Sequence, residues 1–169
     1  MLGSGTSGDM EPPFPSNPPM KTLVIGYGNT LRGDDGVGYR LAEAVEDWHL
    51  AQVEAYPCHQ ITPDLAALIA DQERVFFVDA ALPQDPHSPL ILTRLILGSK
   101  PSLTFTGHHS TPMDLLILTQ QLYGQSPLAY TLLLPTWAMG YGEDLSPIAQ
   151  TGLIQGLRWL QKLILNPDG

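Results

Sequence analysis

Leu23–Gly38 reads LVIGYGNTLRGDDGVG, and this stretch decides the fold. Leu23-Val24-Ile25 is a short apolar run that ends at Gly26, the pattern of a buried strand. Beyond the glycines, Val37, Leu41, Ala44, Val45 and Trp48 recur at helical spacing. The segment Gly26–Gly38 is thus a glycine-rich turn between a strand and a helix. In α/β folds such a turn opens onto a crevice at the carboxyl ends of the strands.

Working outward, the same alternation continues. Gln52–Tyr56 reads as a second strand, and Thr62-Pro63-Asp64 supplies an N-cap, a proline at N1 and an acid for a helix through Leu65, Leu68 and Ile69. Arg74–Val78 is a strand ending at Asp79. Leu90–Ile96 reads as an edge strand. Thr111-Pro112-Met113-Asp114 opens a helix through Leu122 and Tyr123, Leu128–Leu134 is a strand, and Ser146-Pro147 starts a last helix through Ile164. Strands alternating with helices predict an α/β three-layer sandwich. Its mainly parallel sheet has about five strands, flanked by helices on both faces. Residues 1–19, rich in Gly, Ser and Pro, read as a flexible extension. Residues 20–169 read as a single domain, with no internal repeat.

Charge narrows the function. The chain carries 8 bases against 17 acids, a formal charge of −9. So acidic a surface speaks against nucleic acid and against an anionic membrane surface. No apolar run is long enough to span a bilayer. The one cysteine, Cys58, excludes an intrachain disulfide and cysteine-based zinc sites, and fits a reducing cytoplasm.

The glycine turn is not a phosphate loop. Gly26, Gly28 and Gly33 read GxGxxxxG, which misplaces the third glycine of the dinucleotide fingerprint. Gly28 and Gly33 have P-loop spacing, but Asp34 and Asp35 stand where Lys and Ser/Thr belong. Two carboxylates at a helix start repel phosphate. One acid suffices to cap a helix, so Asp34 is assigned the cap and Asp35 is left free. Gly28 and Asn29 are candidates, with Asp34, for a substrate-facing loop.

Three further features matter. Asp79 ends the strand RVFFVD and points toward the same crevice; hydrogen bonding to loop amides is its competing role. His108-His109 precedes a capped helix, and one of the pair faces the crevice. Histidine is both a common metal ligand and a base near neutral pH. Asp35, Asp79 and His109 would together make two carboxylates and one imidazole, an oxygen and nitrogen set suited to a divalent first-row metal. His49, His59 and His87 read as structural or surface residues. None of HExxH, GxSxG or Asp-Thr/Ser-Gly occurs, so no standard protease signature is present.

The segment GYGNTLRGDDGVG resembles the N-terminal signature of the hydrogenase-maturation proteases, roughly GxGNxLxxD[DE]GxG after a strand. FFVDA resembles the second acidic motif of that family, and HHSTPMDLL its histidine motif. HQITPDLA and MGYGEDLSP are also similar, and the resemblance runs from about Met20 to the C-terminus. It implies a five-stranded sheet between helices. It also implies an endopeptidase that trims the C-terminal tail of a nickel–iron hydrogenase large-subunit precursor after nickel insertion. The nickel arrives with that partner and no organic cofactor is needed. Matching the motifs puts the metal-reading and catalytic roles on Asp35, Asp79 and His109, with His108 as the fallback. The first ligand is often Glu in this family and is Asp here. The rival readings are a metal- or precursor-binding chaperone without activity and a nucleotide-binding α/β enzyme.

Overall fold

The computed structural model describes residues 19–83, 87–98 and 110–166. The flexible extension expected over 1–19 falls, except for Pro19, outside the described residues. So do His108 and His109.

The first strand, β1 (Thr22–Tyr27), runs into the glycine turn. A single turn of 3-10 helix over Gly33–Gly36 leads into α1 (Val37–Glu46). There follow β2 (Val53–Cys58), α2 (Leu65–Ala70), β3 (Arg74–Ala80), β4 (Ile91–Leu95), α3 (Pro112–Tyr123), β5 (Leu128–Leu134) and α4 (Pro147–Leu165). The five strands lie in the order β2-β1-β3-β5-β4. All neighbours are parallel except β4, which runs antiparallel to β5 at the edge. The expected mainly parallel sheet with an edge strand near Leu90–Ile96 is therefore what forms.

Each central strand is apolar on both faces, as a doubly covered parallel sheet requires. Val24, Phe76, Val78 and Leu132 point to one face and meet Leu41 and Val45 of α1 and Leu160 of α4. Leu23, Ile25, Val75 and Phe77, alternating with them, point to the other and meet Ile69 of α2 and Leu115 and Leu116 of α3. Helices thus cover both faces.

The chain leaves β1 for β2 on one side, then returns through α2 to β3 on the other. The strand order therefore switches between β1 and β3, and in such sheets a crevice opens at their carboxyl ends. Two glycines let the elements close up there. A Cβ on Gly26 would collide with the carbonyl of Gly38, and one on Gly38 with the carbonyl of Val78. Helix α1 consequently lies hard against β1 and β3, and its first turn sits against the main chain of Tyr27 and Val78, near the ends of the two strands.

The three helix starts legible in the sequence separate here. Thr111 and Asp114 form the full capping box: Asp114 N donates to Thr111 Oγ1 at 3.1 Å and Thr111 N to Asp114 Oδ2 at 3.0 Å. Ser146 caps α4 through Ala149 N at 3.2 Å. Thr62 does not cap α2, because its hydroxyl donates to the Asp64 carboxylate instead. The main chain of Thr62 and Pro63 takes the first amide protons through Leu65 N and Ala66 N, both at 3.1 Å. The turn precedes the helix rather than starting it.

Candidate active site at the β1/β3 crevice

The turn after β1 is built by its own main chain. Gly28 sits at φ 145°, a conformation that favours glycine, and a Cβ there would strike the carbonyl of Asp35. Asn29 Oδ1 accepts from Leu31 N at 2.9 Å, and Asn29 O accepts from Arg32 N at 3.1 Å. These bonds fold the loop back so that Asn29 N donates to Asp35 Oδ2 at 2.9 Å. One oxygen of Asp35 is thereby fixed, and the half-buried side chain keeps acceptor capacity to spare.

Asp79 follows from β3. Ala80 N donates to its Oδ1 at 2.8 Å, and the Tyr27 phenol at the end of β1 donates to the same carboxylate. Burial pushes the Asp79 carboxyl up to about 6, and the nearby charge of Asp35 pushes the same way. The two hydrogen bonds only partly offset this. Asp35 and Asp79 thus lie close enough at the carboxyl end of β1 and β3 to interact electrostatically. Tyr27 is driven far above its ordinary value by burial and by Asp79, so it remains a donor at any physiological pH. Tyr27→Phe removes one stabilising donor from ionised Asp79. Its carboxyl is then expected to titrate above 6, which a carbon-13 NMR titration of the side chain would read; an unchanged or lower midpoint would contradict the contact.

Asp34 does something other than cap a helix, the role its position in the sequence suggested. Its side chain makes no helix cap; the residue at the start of α1 is Gly36, without a side-chain cap. Instead Asp34, at 0% exposure, turns away into the loop between β5 and α4. Its Oδ2 accepts from Trp137 N at 2.7 Å, Ala138 N at 2.8 Å and Ser146 Oγ at 2.6 Å, and its Oδ1 accepts from Ser146 N at 2.7 Å. Burial alone would raise its pKa; these donors outweigh burial and hold it below the ordinary carboxylate value. The physical reason for the correction is that four convergent donors stabilise a buried carboxylate far better than one end of a helical turn.

The other candidates separate cleanly. Cys58 ends β2 beside Tyr27, but burial, with the charge of Asp64, pushes its thiol up to about 11, so it is not a ready nucleophile. His59 packs its ring against Tyr39 at 5.8 Å between centroids, in the structural role expected. His49 lies just past α1 with φ 48°. Among the described residues no three or more His, Cys, Asp or Glu side chains gather as a metal cluster, so Asp35 and Asp79 stand there as a pair.

Two participants escaped the sequence. Tyr27 was legible only as a strand end, and its contact with Asp79 depends on β1 pairing with β3. The loop between β5 and α4 was visible as MGYGEDLSP, without a role.

The sequence matches no protein-family model and no curated protein. Solved structures do match. The NiFe hydrogenase maturation protease HycI from Thermococcus kodakarensis aligns with a TM-score of 0.67 at 18% identity, over 87% of this chain and 94% of that one. The hydrogenase maturating endopeptidase HybD from E. coli gives 0.63 at 20% identity, over 88% and 94%. A hydrogenase 2 maturation peptidase from a Thaumarchaeota archaeon gives 0.62 at 21%, over 84% and 96%. With a mostly parallel five-stranded sheet between helices and near-complete coverage of each relative, this chain has the fold of the hydrogenase maturation proteases.

Proposed function

We propose that this chain is an endopeptidase that removes the C-terminal extension of a nickel–iron hydrogenase large-subunit precursor once nickel has been inserted. The observation that carries the reading is the pair Asp35 and Asp79 in the β1/β3 crevice of this fold. The nickel belongs to the substrate and serves as the recognition element. Asp35, Asp79 and His109 are its proposed ligands in the complex, and no organic cofactor takes part.

The donor chemistry fits. Asp79, raised by burial and by the charge of Asp35, is relieved by a cation, so an incoming divalent metal is electrostatically favoured where a second anion is not. Asp35 is anchored by Asn29 N and Asp79 by Ala80 N and Tyr27, so both are preorganised. Holding the metal-bearing end of the precursor places the neighbouring peptide bond in the crevice, and positioning of this kind can supply a large share of a rate enhancement. A nickel ion held by these residues would supply Lewis-acid chemistry, polarising the scissile carbonyl or acidifying a water. Asp79, with its carboxyl near 6 in the metal-free protein, is mostly ionised at neutral pH and so ready to receive a cation. Such a reaction places the chain with its precursor in the cytoplasm.

The test is incubation with nickel-loaded and nickel-free precursor, followed by mass spectrometry. Only the loaded form is expected to be shortened. Asp35→Ala is expected to slow that cleavage by about 100-fold or more, because the anchored ligand is lost. Cleavage of both forms alike would remove nickel from the reading, and binding without cleavage by the wild type would make the chain a chaperone.

A further inference from the structure

The loop between β5 and α4 is held rigidly, yet it shows apolar side chains to solvent. Besides the four bonds to Asp34, Gly33 N donates to Gly142 O at 2.7 Å, Asp34 N to Ala138 O at 2.9 Å and Gly142 N to Leu31 O at 2.9 Å. Thr136 Oγ1 ties the start of the loop to Ala81 O at 2.6 Å. These bonds stitch the loop to the glycine turn that carries Asp35 and to Ala81, just past the end of β3 and two residues from Asp79. On this frame Trp137 is 53% exposed, Tyr141 103%, Leu31 56% and Leu82 76%. Folding stability alone does not favour rigid backbone with exposed aromatics. Binding does, because an ordered loop loses little entropy when a partner arrives, and Trp and Tyr contribute most at interfaces.

We infer that Trp137 and Tyr141, with Leu31 and Leu82, form a docking lip for an apolar, non-acidic segment of the substrate chain next to its scissile bond. The inference rests on the proposed endopeptidase reading. Charge fixes the kind of segment. Asp35, Glu143 and Asp144 lie in the turn and the loop, with Arg32 the single base of these two segments. An acidic peptide would be repelled, while an apolar or basic one would not. Trp137 and Tyr141 act here as specificity-determining residues that bind the polypeptide while the carboxylates of the crevice handle the metal.

The experiment is steady-state cleavage of nickel-loaded precursor by Trp137→Ala and Tyr141→Ala. Each is expected to raise KM by about tenfold or more, with the loss in KM rather than in kcat. Trp137→Phe, which keeps an aromatic ring, is expected to recover most of it. Tyr141 is wholly exposed, so its variant tests the lip even if Trp137→Ala folds poorly. A KM unchanged in Tyr141→Ala overturns the inference, as does a fall in kcat at constant KM. If wild-type protein cleaves no precursor at all, the endopeptidase reading fails and the lip goes with it. If the wild type cleaves and the variants match it, only the lip is lost.

Discussion

Asp79→Asn is expected to make the metal-free protein more stable at pH 8, by about 1–3 kcal/mol, while abolishing cleavage. The sign follows from the direction in which the fold moves the Asp79 carboxyl. An aspartate in the unfolded chain titrates near 3.9; in the fold this one titrates at about 6. Between those values the native state keeps a proton that the unfolded chain has released. Stability therefore falls as pH rises from about 4 to about 6, and the loss is complete above that. A carboxyl displaced that far costs about 3 kcal/mol once ionised, and less here because the residue is only partly buried. Asparagine keeps an oxygen for Ala80 N and Tyr27 and carries no charge toward Asp35, so the penalty disappears. Urea denaturation at pH 4 and pH 8 reads the effect. The variant should gain only at the higher pH, and a variant less stable than wild type at pH 8 would contradict the account. A group that lowers stability in the free protein is consistent with the cation-reading role proposed for this site.

The layers of this fold were legible because strand and helix periodicity are local. Leu23, Ile25 and Val24 already alternate between the two faces they come to occupy, and Thr111 with Asp114 announces a capping box within a single turn. Asp79 was legible for a related reason, since a carboxylate at the end of an apolar strand in an α/β sheet has few places to go but the crevice. What local rules misassigned was Asp34. Its partners Trp137, Ala138 and Ser146 lie 103, 104 and 112 residues downstream, so nothing near it in sequence competes with the cap reading. Thr62 failed on a finer scale: its hydroxyl could accept from a helix amide or donate to a neighbouring side chain, and the Asp64 carboxylate prevailed. Asn29 lay between these cases. Its place in the glycine turn was plain, while its work of folding that turn onto Asp35 is a matter of atoms.

The same chemical change at Asp34 is expected to do the opposite. Asp34→Asn should destabilise the fold by about 2–5 kcal/mol, because a buried carboxylate that takes four donors cannot be matched by an amide. If the amide oxygen keeps Trp137 N, Ala138 N and Ser146 Oγ, the amide nitrogen must face Ser146 N, donor against donor. The reverse placement leaves more donors unpaired. Here the pH dependence also inverts. The native carboxyl lies below its unfolded value, so its contribution is present above about pH 4 and is lost as pH falls through the native value. Wild type should therefore lose this increment in acid, and Asp34→Asn should not have it to lose. Because the donors are the main chain of the β5–α4 loop, amide exchange at Trp137, Ala138 and Ser146 should accelerate in the variant before the sheet amides do. A stability within about 0.5 kcal/mol of wild type, the range of an ordinary surface substitution, would mean that the loop holds itself. The adjacent acids Asp34 and Asp35 then divide through their donors: the one surrounded by amides fixes the loop, and the one left with open acceptor capacity is the one proposed to meet the metal.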